Sequence, residues 1–159
     1  LVVERKLEPE RIARLLMALD ETRETWSNVR TFGAPVDKAY WEQKHSFFVD
    51  GSADDLLLAV EKYVSHGRPM AAIEVSNRRL CDIPTDQLLQ LLDAAVPEIN
   101  ASQGGGGTMT SYYIERVFDE LEDRADVEKE ELAKREFAYL PFLNPFTLQM
   151  QLKIPCVFE

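Results

Sequence analysis

An all-α fold is predicted by three features of this 159-residue chain. Apolar residues recur with the 3.6-residue period of a helix face in one segment after another. Period-two alternation, the mark of a half-buried strand, is nearly absent. The seven glycines and eight prolines fall almost entirely between the periodic segments, where a positive or a fixed φ ends one helix and opens the next.

The first helix is expected from Pro9 to Glu21, with Ile12, Leu15, Leu16 and Leu19 on one face. The stretch from Thr22 to Pro35 is less regular and holds Trp26. A helix resumes near Asp37, carrying Tyr40, Trp41, Phe47 and Phe48 as its bulky residues. Ser52 then reads as an N-cap followed by the acidic first turn Asp54-Asp55, with Leu56, Leu57, Val60 and Val64 as the stripe and Gly67 as the stop. Arg68-Pro69 opens the next helix, with Met70, Ile73 and Leu80 facing inward. Pro84-Thr85-Asp86 opens a third, with Leu88, Leu89, Leu91, Leu92, Ala95 and Val96. After the glycine run, Thr110 or Ser111 caps a helix bearing Ile114, Val117, Phe118 and Leu121. Asp126 caps another bearing Leu132, Phe137 and Leu140. A short helix is expected over Thr147 to Leu152, although Leu148, Met150, Leu152 and Ile154 alternate as a short strand would.

Helix starts near residues 53, 69, 85, 111 and 127 are 16, 16, 26 and 16 residues apart. Sixteen residues hold one helix and a tight turn, so two make a hairpin close in length to a helical solenoid repeat. The expected architecture is therefore antiparallel helical hairpins stacked as a short α-solenoid of the TPR or HEAT kind. It forms a single domain over residues 1–159, with residues 100–109 as a flexible Gly-rich loop. With 45% hydrophobic and 29% charged residues, such a chain buries about 70% of its unfolded surface and needs no disulfide or metal to hold a core. Leu1 at the start, and Pro155 to Glu159 reading like the first turn of another helix, give the impression of a piece of a longer protein.

The net charge of −10 is unevenly spread: residues 115–136 alone hold 10 acidic and 5 basic groups. An acidic chain without a basic stripe is poorly suited to phosphate neutralisation, so nucleic acid is not an expected partner, and an anionic membrane surface is disfavoured likewise. Neither a signal peptide nor an 18-residue apolar stretch is visible. Cys81 and Cys156 read as two free thiols of a reducing compartment, which points to the cytoplasm.

No motif specifies a reaction. Gly104 to Gly107 lacks the lysine and the preceding strand of a phosphate loop, and a polyglycine run is too flexible to hold an anion in place. His45 and His66 lie 21 residues apart, outside metal-ligand spacing. His66 reads as a helix C-terminal residue and His45 as a partly buried ring beside Phe47. No serine sits in a nucleophile elbow, and the carboxylate pairs read as solvated helix faces. No cofactor and no metal is expected. The expected partner is a protein or peptide, or another domain of the same chain, and it should be neutral or basic because an acidic one is repelled. Trp41, Tyr112 and Tyr113 are the candidate apolar anchors, and Glu120 and Asp123 the candidate steering charges. The rival reading is a regulatory domain that binds a small anion, or a degenerate enzyme. It requires Arg30, Arg68, Arg78 and Arg79 to converge on one pocket.

Tyr40-Trp41-Glu42, Gly67-Arg68-Pro69 with Ala71-Ala72, and Glu136-Phe137-Ala138-Tyr139-Leu140-Pro141 together resemble a helical-repeat region of very large bacterial multidomain proteins. The resemblance spans roughly residues 37–143. It implies a cytosolic scaffold beside domains of nucleotide-dependent signalling or phage defence, and it carries no catalytic signature.

Overall fold

The computed structural model describes residues 7–45, 49–101 and 108–142. Among them are eight α-helices, one 3-10 turn and no strand, as the all-α reading requires. The expected helix or strand over residues 147–154 lies outside the described residues, as do Phe47, Phe48, Cys156 and most of the 100–109 loop. The chain divides into two compact units, residues 1–83 and 84–159.

The first unit begins with α1 (Pro9–Leu16), which has Pro9 in its first turn. It is shorter than expected. The ladder ends at Leu16, and the chain leaves through turns in which the amides of Ala18 and Leu19 reach back three residues to the carbonyls of Leu15 and Leu16. Ala13 and Leu16 are buried, whereas Leu15 and Leu19, expected on the same face, stand outside. Thr22 caps α2 (Arg23–Thr31), the helix that the irregular stretch concealed, by accepting a bond from the Thr25 amide. Its apolar face is only Trp26 and Val29, too sparse to register as a period. Gly33 precedes α3 (Ala34–Gln43), which packs on α1 and α2 through Val36, Ala39, Tyr40 and Trp41.

Ser52 begins α4 (Ala53–Ser65) with a full capping box. Its hydroxyl accepts from the Asp55 amide, and the Asp55 carboxylate accepts from the Ser52 amide. Gly67, at φ +71°, ends the helix in the left-handed conformation that favours glycine. Then α5 (Pro69–Ser76) turns back to pack on α4, and a 3-10 turn over Leu80–Asp82 closes the unit.

The second unit is three mutually packed helices, α6 (Thr85–Ala101), α7 (Thr108–Glu122) and α8 (Lys129–Tyr139). Leu88, Leu92, Ile114, Val117, Leu121 and Tyr139 fill its core. Pro97 lies inside α6, where it removes the amide that would bond the Asp93 carbonyl. One residue earlier, the Leu92 carbonyl accepts the Tyr139 hydroxyl, tying α8 to α6. The α7 start falls at Thr108 rather than Thr110 or Ser111, so the helices run into both ends of the expected loop. Asp126 does not cap α8: it lies in a turn, and the N-cap position is Glu128, whose side chain makes no cap bond. Lys129 instead donates to the Glu122 carbonyl at 2.5 Å, closing the end of α7. No helix among the described residues is long and apolar enough to cross a membrane.

Candidate functional site

The first unit carries an open groove of about 620 Å³. One wall is the exit of α1 and the cap of α2, namely Leu19, Asp20, Glu21, Thr22 and Arg23. The other is the α3–α4 connection with the first turn of α4, namely His45, Asp50, Gly51 and Asp55. Each wall is held by long-range bonds from side chains to backbone. Lys44, buried, places its ammonium 3.3 Å from the Met17 carbonyl and 2.9 Å from the Glu21 carboxylate. It thereby satisfies an orphan carbonyl at the end of α1 and joins α3 to the first wall. Arg68 donates from Nη1 to the carbonyls of Trp41 (2.8 Å) and Lys44 (2.6 Å), and its guanidinium lies 5.4 Å over the Tyr63 ring. Arg79 donates to the carbonyls of Gly51 (2.7 Å) and Val49 (3.3 Å) and pairs with Asp82.

Asp55 sits at the junction of the walls. It accepts from the Ser52 amide and hydroxyl and from Arg23 at 2.7 Å, and these bonds hold its carboxyl below the usual range, Ser52 contributing most. A Cβ on Gly51 would stand 2.6 Å from that carboxylate, so the wall can approach α4 closely only with glycine there. Four carboxylates line the groove. Arg23 answers Asp55 and Lys44 answers Glu21, which leaves Asp20 and Asp50 without a side-chain partner among the described residues. The groove is therefore electronegative, with apolar contact offered by Leu19, which is 50% exposed.

The residues singled out from sequence take different places. Trp41 is a correction: it is 1% exposed and cannot serve as an accessible anchor. Its ring meets Trp26 (5.8 Å), Tyr40 (5.2 Å) and Tyr63 (5.2 Å) edge-on or tilted, and this cluster is the centre of the first unit's core. Among the described residues the buried Trp41 indole N–H has no hydrogen-bond partner. Burial, followed by the Glu21 charge, pushes the Tyr40 hydroxyl far above its ordinary range. Tyr112 is exposed and Tyr113 half-buried, with ring centroids 5.6 Å apart near the start of α7. Glu120, at the other end of α7, accepts from Arg124 at 2.8 Å, and Asp123 is exposed just beyond that helix. Eleven residues separate Tyr112 from Asp123, roughly 16 Å of helix rise, so the anchors and the steering charges are not brought together.

None of the four arginines of the rival reading lines this groove. Arg30 is exposed in the last turn of α2 and Arg78 is exposed, while Arg68 and Arg79 are engaged with the carbonyls that frame the groove. His45 is exposed rather than partly buried. His66 does sit at its helix end, with Nδ1 2.8 Å from the Lys62 carbonyl and Nε2 3.5 Å from Asp37, a carboxylate also bound by Lys62. Among the described residues no group of three or more His, Cys, Asp or Glu side chains could hold a metal ion.

Sequence reasoning missed the groove itself. Its only local signal is the Ser52/Asp55 capping box, because the framing bonds of Lys44, Arg68 and Arg79 span 24 to 30 residues. Comparison with protein-family models, with curated proteins and with solved structures returns no match.

Proposed function

We propose that this chain is a non-enzymatic helical interaction module. It acts as a scaffold in a larger cytoplasmic bacterial protein and binds a protein or peptide, or another domain of its own chain. The supporting observation is the open groove on the first unit, whose two walls are fixed in advance by Lys44, Arg68 and Arg79. A surface already ordered loses little freedom when a partner docks, and affinity follows from that more than from area. The excess of carboxylates supports a neutral or basic partner and disfavours nucleic acid. The resemblance to a helical-repeat region extends the proposal to stacked hairpins of the solenoid kind and to signalling or defence proteins.

A random-peptide display selection against the intact chain, with calorimetry on the selected sequences, tests this reading. Peptides that bind one-to-one with dissociation constants on the order of micromolar are the expected result. A selection that yields no binder, with phosphate or a nucleotide instead raising the melting temperature saturably, would replace the module with a small-anion receptor.

A further inference from the structure

Leu15 and Leu19 stand 64% and 50% exposed, one turn apart at the exit of α1, and Leu19 continues into the groove. Beside it the groove presents two carboxylates that have no side-chain partner among the described residues, Asp20 and Asp50. An apolar ridge that runs into an electronegative cleft fits a ligand with the opposite pattern. We infer that this surface docks a basic amphipathic segment of a partner protein, which lays an apolar side chain along Leu15 and Leu19 and directs a lysine or arginine into the groove toward Asp20 and Asp50. The inference rests on the interaction-module reading and gives it a place and a partner chemistry.

Charge complementarity favours this occupant over the alternatives. An acidic segment meets uncompensated carboxylates. A second copy of the chain, paired two-fold through the same face, brings Asp20 and Asp50 toward their own counterparts. Burial of the leucines supplies slow dissociation, and the carboxylates supply steering and register.

The probes are a labelled Leu/Lys amphipathic peptide of about 15 residues, near the length at which an isolated helix becomes stable, and its Leu/Glu counterpart. The intact chain is expected to bind the first and not the second. Asp20→Asn with Asp50→Asn slows association about tenfold at low salt and much less at high salt. Leu15→Ser with Leu19→Ser speeds dissociation at every salt concentration. All four side chains are surface groups, and an unchanged circular dichroism spectrum and melting temperature confirm that each variant is folded. Leu/Lys binding that survives both double substitutions overturns the inference. If such binding is instead abolished by Tyr112→Ser or Phe137→Ser, the site moves to the second unit and the module reading stands. Failure of the Leu/Lys peptide to bind also overturns the inference, and the display selection then decides the module reading separately.

Discussion

Arg68 does several things with one guanidinium: it bonds the carbonyls of Trp41 and Lys44 and covers the Tyr63 ring. Arg68→Ala leaves both carbonyls short of a donor and uncovers an aromatic core, so a loss of about 2–3 kcal/mol in urea unfolding is expected. Arg68→Lys recovers only part of this, because an ammonium cannot lay a planar guanidinium over the Tyr63 ring. Glu136 shows the opposite case, a charge the fold opposes. Burial, and then the nearby Glu122 charge, raise its pKa above the ordinary glutamate range. Its native form binds a proton more readily than its unfolded form. The ionised side chain therefore destabilises the fold above the raised pKa, and the penalty disappears as pH falls through it. Glu136→Gln should raise the melting temperature at neutral pH and flatten that part of the acid titration. An unchanged profile would contradict this account of Glu136. Trp41 shows why single residues are hard to place from sequence. An aromatic side chain near a helix end reads equally as anchor or core, and the choice is made by Trp26 and Tyr63, which lie 15 and 22 positions away.

At the scale of elements, what is local was legible. The helix starts at residues 53, 69 and 85 fall where the sequence reading places them, because a capping serine, a proline after Gly67 and a Pro-Thr-Asp entry each act within one turn. The starts at 108 and 129 differ by two or three residues, since neither takes the expected side-chain cap and the second follows a turn closed by Lys129. The register of α1 misled because the helix ends at Leu16, which leaves Leu19 beyond it, and because its buried residues are Ala13 and Leu16 while Leu15 stands outside. Ser52→Ala tests the local part: it removes half of the capping box and should cost about 1 kcal/mol. Asp37→Ala tests the non-local part. Asp37 on α3 holds Lys62 on α4 and His66 at its C-cap, and its removal leaves a half-buried ammonium unpaired, so a loss of about 1–3 kcal/mol is expected. An exposed-pair effect of only a few tenths would show that this junction does not fix α3 against α4.

For the molecule as a whole, charge was the most legible property and the groove the least. Composition alone gives the −10 excess, but the groove depends on bonds between positions far apart in the chain, which no periodicity reports. The long-range field should still be felt on association. Charge reversal at the exposed Asp123 and Glu128 should slow capture of a cationic peptide at low salt and have little effect once the Debye length shrinks to about 3 Å in 1 M salt. The most direct test of the account is amide chemical-shift mapping of the intact chain titrated with the Leu/Lys peptide. Saturable shifts are expected at Leu15 to Arg23 and Val49 to Asp55, the two walls of the groove. Shifts confined to Met109 to Tyr113 and Glu120 to Asp123, or none at a saturating excess of peptide, would contradict it.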